Sequence, residues 1–428
     1  MFSKMMDKLP ESMHENAELG VPLGKDKIAS LAFVDDIVSL AMGYAQQEKT
    51  LCAVNEFSII HQLEWGENKC KVMEIGNHKE AKTHWNLGDK TIECCSEYKY
   101  LGEVISRNGK NTANLKEKMG KFKGSVIESM SCAKNEVMKR IQTSIMLKYH
   151  EAVTLPTLLY GCETWNLNAS EMKQLERVEL WALKKMFGLP PTTPNAAMRY
   201  ATGTHFMEVR IQLKQILFLH HLLQRENRHW ARGALFNSQT KNFGWAKNIE
   251  KILTLWEIND DWEVIAATSK NAWKVKVMKA AEIRHKSILL EECQTKTRGT
   301  VKCKTKTKTI FEKLQCNDYK RTPILILRHL NCIETRAFIM GRFGMLDCKA
   351  NFSNGYGGKV CDQCGMDDNE EHRMNECVKY RGTNNCDDPV KIPFNDIYSD
   401  EIEKVKPVLM SILKIWDLTN GKNRMRIA

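Results

Sequence analysis

The sequence has no uninterrupted apolar run near the ~20 residues that a bilayer span requires, so no membrane partner is expected. Its opening stretch, MFSKMMDKLPESMHENAELG, lacks the apolar core of a secretory signal. No self-similarity with a period of 20–50 residues is evident, which argues against solenoid and propeller folds. Compositional bias is also lacking: 43% hydrophobic and 27% charged residues is the balance of an ordinary globular protein. Collagen-like, low-complexity and fully disordered chains are thereby excluded. What remains is a chain of 428 residues, long enough for two or three domains with sizeable cores.

Charge and cysteine content narrow the field. Lys and Arg outnumber Asp and Glu by 64 to 52, a net +12 that favours a polyanionic partner, most commonly nucleic acid. Many basic enzymes never touch nucleic acid, so charge alone does not decide it. The 15 cysteines are odd in number and scattered through apolar segments, which suits a reduced intracellular compartment, nuclear or cytoplasmic, better than a disulfide scaffold. Cys52, Cys132 and Cys162 read as small buried hydrophobes.

Along the chain the pattern changes from β-rich to helical. Strands are expected at Val21–Leu23, Ile28–Val34, Lys71–Ile75 and Tyr98–Ile105, with a helix over Gln46–Leu63 and a turn at Leu87-Gly88-Asp89-Lys90. From Asn111 onward helices dominate. One is capped by Ser170 and runs to Phe187, one spans Glu208–Arg225, one spans Thr322–Met340, and a last one spans Ser399–Trp416 with a kink or break at Lys406-Pro407. His220-His221, beside Leu222-Leu223, reads as packing or surface rather than chemistry.

Two adjacent acids, Asp35 and Asp36, lie between strongly apolar runs in IASLAFVDDIVSLA. Charges are costly within such a core, so the pair is expected at the tip of a tight hairpin or at an open strand end. A divalent metal with hard oxygen preference is one natural partner. Asp pairs also occur in turns for local hydrogen-bonding reasons alone.

Cys361-x2-Cys364-x7-His372-x4-Cys377 places four soft donors within 17 residues. Structural zinc takes four tetrahedral N/S ligands, and Gly365 suits the tight turn of such a knuckle. The alternative is a chance cluster of reduced thiols. Basic residues recur around it. The segment Thr295–Thr309, a linker or mobile arm, carries Lys302, Lys304, Lys306 and Lys308 and has no acid. With Arg328, Arg336 and Arg342 these lysines form a candidate phosphate-binding set, the alternative being scattered surface charge.

The string LAFVDD (Leu31 to Asp36) resembles the aspartate box of reverse transcriptases, in the form found in non-LTR (LINE-like) retrotransposons. Three further blocks follow in that family's order. Leu63 to Met73 (LEWGENKCKVM) resembles the next palm segment, Tyr98 to Ile105 (YKYLGEVI) the YLG block of the primer grip, and Leu155 to Trp165 (LPTLLYGCETW) the LLYGxExW block of the thumb. The match runs with gaps from about Val21 to Arg225 and resumes near Arg342, and the Cys/His set resembles the family's CCHC zinc element. The resemblance implies an α+β fold: a partial polymerase palm of antiparallel hairpins plus a helix, then a mostly helical thumb and C-terminal region with a small zinc knuckle. The corresponding segments are 1–110 (palm), 111–230 (thumb), 231–310 (helical region and basic linker), 311–380 (zinc-knuckle region) and 381–428 (C-terminal tail).

The same resemblance implies site residues. Asp35 and Asp36 would hold Mg2+. Phe33 would stand near the primer end or incoming nucleotide, Lys69 near the triphosphate, and Tyr100, Leu101 and Gly102 at the primer grip. Cys361, Cys364, His372 and Cys377 would hold Zn2+. The family's second metal-binding aspartate has no match at Asp7 or Asp26, and the fingers have no counterpart. The expectation is therefore the C-terminal portion of a reverse transcriptase that binds RNA and DNA but is catalytically incomplete alone. A domesticated zinc-knuckle protein that binds RNA or DNA without chemistry is the alternative. No nuclease is expected, because Asp387-Asp388 lacks partner acids.

Overall fold

The computed structural model of the chain describes residues 5–24, 26–66, 68–76, 82–132, 141–227, 229–295, 326–346, 348, 360–377, 391–399 and 401–419. It is mixed α+β, with short strands before residue 107 and helices after it. The chain packs as two units interleaved in sequence. One comprises Met1–Lys118, Gly161–Glu171 and Gln212–Met278, and the other Met119–Tyr160, Met172–Ile211 and Lys279–Ala428. Consecutive segments cannot express this division, because residues 161–171 and 212–278 fold back with the N-terminal hairpins.

In the first unit, α1 (Lys8–Glu15) precedes β1 (Val21–Leu23) and β2 (Asp26–Ile28), an antiparallel pair. β3 (Ser30–Phe33) pairs antiparallel with β4 (Asp36–Ser39). The run Ile28–Val34, which reads as one strand, is thus divided at Ala29. That residue is buried, and its carbonyl accepts from the Leu40 amide at 2.7 Å. Helix α2 (Tyr44–Ile60) is followed by β5 (Lys71–Val72), β6 (His84–Leu87) and β7 (Lys90–Cys94). β7 is the central strand, antiparallel to β6 and parallel to β5, so this sheet is mixed rather than purely antiparallel.

β8 (Glu97–Tyr100) and β9 (Glu103–Ser106) form a hairpin where the apolar pattern reads as a single strand. Leu101 and Gly102 both adopt positive φ, 47° and 84°, the requirement of a two-residue hairpin turn. Two small cores underlie these strands. Leu9, Met13, Leu19, Ala29 and Phe57 form one, and Leu51, Trp85, Leu87 and Ile92 the other. Strand alternation accounts for the second: Trp85 and Leu87 point inward, His84 and Asn86 outward.

The helices that follow are α3 (Thr112–Cys132), α4 (Thr143–Tyr149), α5 (Leu155–Leu159), α6 (Ala169–Met186), α7 (Asn195–Thr202), α8 (Met207–Leu223), α9 (Trp230–Thr240), α10 (Gly244–Leu255), α11 (Trp262–Ala267), α12 (Lys270–Thr295), α13 (Cys332–Arg342), α14 (Glu370–Asn375) and α15 (Ile402–Thr419). Their ends follow cap chemistry. α6 is capped by Asn168, whose Oδ1 accepts from the Ser170 and Glu171 amides while Glu171 accepts from the Asn168 amide. Ser170, the expected cap, lies inside the helix. α13 starts at Cys332 because Asn331 and Glu334 form a capping box. α15 continues through Pro407, whose missing N–H falls on the exposed side where water can satisfy the freed carbonyl. Cys162 is buried, Cys52 is exposed on α2, and the Cys132 side chain lies outside the described residues. His220 is a packing residue: its Nε2 lies 2.8 Å from the Thr268 carbonyl and its ring stacks on Trp273.

The second unit is organised around a buried cation. Every residue of α7 after Asn195 is buried, including Arg199. The Arg199 guanidinium donates to Glu176 Oε1 at 2.7 Å, to Glu179, and to Thr204 Oγ1 at 3.0 Å. Burial alone would push the Glu179 carboxyl up, but Arg199, His150 and Arg210 hold it well below the usual carboxylate range. Arg199→Ala strands two glutamates in the core, so a loss of about 3–5 kcal/mol is expected. Urea denaturation checks this, and a loss under about 1 kcal/mol would exclude Arg199 as a principal support of the core.

Candidate functional site

The acidic pair occupies the tip of the β3–β4 hairpin. Phe33 lies opposite Asp36, so Val34 and Asp35 form the two-residue turn and Asp36 opens β4. Val34 sits at φ 58°. A β-branched side chain there is a genuine outlier and costs on the order of 1–3 kcal/mol. Both acids are exposed, as are Phe33 and Val34.

Beside the tip lies a cavity of about 770 Å³ whose walls include Asp35, Asp36, Lys69, Tyr98 and Tyr100. Ile37, Val38, Leu51 and Ile92 give it an apolar side. The Tyr98 hydroxyl donates to the Lys69 carbonyl at 2.9 Å, tying the segment after α2 to β8. Burial pushes the Tyr98 and Tyr100 phenols up, and the negative charge of Asp36 pushes them further. Residues far apart in sequence therefore share one cavity wall. Phe33, Leu101 and Gly102 are not among its lining residues.

A residue absent from the expected set organises the β8–β9 turn. Glu103 Oε2 accepts from Asn114 Nδ2 at 2.6 Å and from Trp165 Nε1 at 3.0 Å. Its Oε1 lies 2.6 Å from Lys118 Nζ, which also donates to the Gly102 carbonyl at 3.2 Å. Gly161 has φ 76°, and a Cβ on it would stand 2.4 Å from Glu103 Oε1. The YLGE turn and the residues of the YGCETW run are thus joined by one carboxylate. The available signal was a charged residue placed directly after a Gly turn and before an apolar strand.

The four soft donors converge. Their ligating atoms all lie within 4.8 Å of one another. Cys361 Sγ and Cys377 Sγ are 3.7 Å apart, and Cys364 Sγ is 3.1 Å from His372 Nε2. A disulfide needs a sulfur–sulfur distance of about 2.05 Å. Two sulfurs on one tetrahedral zinc at about 2.3 Å each would be about 3.7–3.8 Å apart. The donor chemistry and spacing therefore fit zinc.

The local fold explains this convergence. Gly365, at φ 71°, lets its amide reach the Cys361 carbonyl at 2.9 Å, and the Cys361 amide donates to the Met366 carbonyl at 2.7 Å. α14 carries His372, and the Cys377 amide donates back to the His372 carbonyl at 2.8 Å. Glu376 Oε2 stands 3.7 Å from His372 Nδ1, close enough for electrostatic contact and too far for a direct hydrogen bond. Buried Asp368 is satisfied by a two-pronged contact from Arg373, at 2.6 and 2.8 Å. Burial raises the Cys361 thiol, but the Gln363 amide, His372 and the other two thiols outweigh it and bring the group down to about 6.

The candidate phosphate-binding arginines divide. Arg328 is exposed. Arg336 is half-buried with its guanidinium 5.3 Å from the Trp416 ring centre, and burial lowers its pKa. Arg342 is buried; its guanidinium donates to the Ile397 and Ser399 carbonyls at 2.8 and 3.0 Å, a packing role. Lys302, Lys304, Lys306 and Lys308 lie outside the described residues.

Among the described residues, no third His, Cys, Asp or Glu joins Asp35 and Asp36 in a metal-holding group. No described helix is long and apolar enough to cross a membrane. No family model matches the chain, and no curated protein matches it.

Purified protein is expected to carry about one zinc per chain by elemental analysis, and to lose it in Cys361→Ser. Protein reconstituted with zinc that retains none would defeat the assignment. Val34→Gly relieves the left-handed strain and is expected to raise stability by about 1 kcal/mol or leave it unchanged. Gly161→Ala is expected to destabilise by at least about 1 kcal/mol. Thermal melts read both, and equal melting of Gly161→Ala and wild type would argue against the close approach of Glu103.

Proposed function

We propose that this chain is a nucleic-acid-binding protein of the non-LTR reverse-transcriptase type, with a zinc-stabilised C-terminal element, and that its acidic pair does not by itself catalyse polymerisation. The observation that carries this reading is the convergence of separate sequence blocks on one cavity. Asp35 and Asp36 come from the LAFVDD block, Lys69 from the next block, and Tyr98 and Tyr100 from the YLG block.

In the proposed role, the carboxylates mark where a metal-bound phosphate would approach, and the phenols of Tyr98 and Tyr100 offer donors and flat surfaces beside it. Mg2+ takes one or two carboxylates together with substrate phosphates. Two-metal phosphoryl transfer needs a larger fixed ligand set. Asp35 and Asp36 alone do not make that set, so binding rather than synthesis is proposed for these residues. The zinc donor set supports the second reading equally well: a zinc-knuckle RNA- or DNA-binding protein without enzymatic activity.

Fluorescence anisotropy with a primer–template duplex and with single-stranded RNA tests the binding claim. For each tenfold rise in salt, affinity should fall by about 0.9 log units per phosphate contact on a duplex and about 0.7 on a single strand. An absence of binding at low salt would overturn the proposal. Primer extension with Mg2+ or Mn2+ should yield no product. Templated synthesis that is abolished by Asp35→Asn would overturn the claim of incomplete catalysis.

A further inference from the structure

α14 has six residues, too few to persist alone, since isolated helices shorter than about 12 residues are marginal in water. The donor set holds it from one side through His372 within the helix and Cys377 just beyond its end. Asn369 caps its start, accepting from the His372 amide at 2.8 Å.

Other side chains of α14 hold a different part of the chain. Asn375 makes a paired contact with the backbone of Ile392: its Nδ2 donates to the carbonyl at 2.9 Å, and its Oδ1 accepts from the amide at 3.0 Å. Glu371 Oε2 accepts from the Phe394 amide at 3.1 Å. This segment enters a 3-10 turn, Phe394–Tyr398, with Ile397 fully buried. The turn supplies the Ile397 carbonyl to Arg342 of α13. Gly341, beside Arg342, is approached so closely that an added Cβ would stand 3.3 Å from both Ile397 Cγ1 and Ile412 Cδ1. Ile412 belongs to the buried face of α15, with Val405, Val408 and Leu409. A continuous path of direct contacts therefore leads from the donor set through α14 and the 3-10 turn to α13 and α15.

We propose that metal occupancy at Cys361, Cys364, His372 and Cys377 controls the docking of the C-terminal helix α15 on α13, with Asn375 and Glu371 transmitting it. This rests on the zinc reading above. Metal bound only by the folded site stabilises everything whose folding the site requires. Without it α14 frays, the Ile392 and Phe394 backbones lose their side-chain partners, and Arg342 loses its acceptors on the 3-10 turn. The coupling is reciprocal, so loosening the Asn375 contact weakens metal binding. Asn375 and Glu371 are positioning residues and touch no metal.

Hydrogen exchange of the full chain, read by mass spectrometry together with zinc stoichiometry and a competitive chelator titration, tests this. In zinc-loaded wild type the α15 amides should be protected. Chelation or Cys361→Ser should speed their exchange at least tenfold and leave α8 unchanged. Asn375→Ala should keep one zinc at saturating metal, weaken its affinity roughly tenfold, and expose α15 in the same way. Asn375→Asp sets a carboxylate oxygen against the Ile392 carbonyl and Glu371 Oε1, to which Nδ2 now donates at 2.9 and 3.2 Å; it should expose α15 at least as much as the alanine variant and serves if that variant does not fold. Stoichiometric zinc with α15 exchange indifferent to chelation would overturn this inference and leave the zinc reading intact. Failure of wild type to bind zinc would overturn both.

Discussion

The length of one turn governs the acidic site. With only two residues between Phe33 and Asp36, β3 and β4 must reverse direction at Val34 and Asp35, and the reversal forces Val34 to φ 58°. Side chains alternate along a strand, so a one-residue slip would exchange the two faces of β4. Ile37 and Val38 would trade places relative to the cavity they line, and Asp36 would leave the side that faces Tyr98 and Tyr100. Glycine would make the same turn more cheaply. Retaining valine keeps an apolar side chain at the tip beside exposed Phe33. The physical result is a hairpin end that combines two exposed carboxylates with two exposed apolar groups.

Two further constraints keep the cavity walls in place. The Tyr98 hydroxyl holds the backbone at Lys69, and Glu103 holds the β8–β9 turn to Asn114, Lys118 and Trp165. The Glu103 carboxylate is half-buried and fully used, so removing any one of its partners leaves part of its charge unanswered. That arrangement tolerates little change, and it explains why Gly161 sits where a larger residue would strike the carboxylate. The hairpins are individually short, and two-stranded pairs are marginal on their own. Their order comes from such side-chain ties and from the small cores around Phe57 and Trp85.

Local features were legible in the sequence to the extent that their causes are local. The Cys-x2-Cys knuckle, the Leu87–Lys90 turn and the hairpin around Asp35 are set by residues within a few positions of one another, and they formed accordingly. Boundaries were set by caps: Asn168 rather than Ser170 caps α6, and Asn331 caps α13, because in each case a glutamate three residues on completes a reciprocal bond. The β8–β9 hairpin was hidden because a Leu-Gly turn inside an apolar run looks like continuous strand. Glu103, Arg199 and Asn375 were illegible for a different reason. Each has a partner 17 or more residues away, at Trp165, Glu176 and Ile392, and no periodicity encodes such a pairing. The grouping of the four Cys/His donors was readable from spacing, whereas the attachment of α14 to the turn before α15 was not.

Net charge does not say which cations are presented to solvent. Of the arginines of α13, Arg342 serves the backbone of the 3-10 turn and Arg336 covers Trp416, so neither guanidinium is presented as a simple surface charge. Around the hairpins, Lys49, Lys71, Lys82 and Lys99 each lie within 2.6–2.8 Å of a glutamate oxygen. Exposed pairs of this kind are worth little to stability, but they do reduce the field that a phosphate would feel. A phosphate reaching these lysines must displace a carboxylate. The salt dependence of binding should therefore count far fewer contacts than the chain's 64 basic residues would allow. A small slope would reflect this internal pairing of cations and would not by itself mean weak recognition.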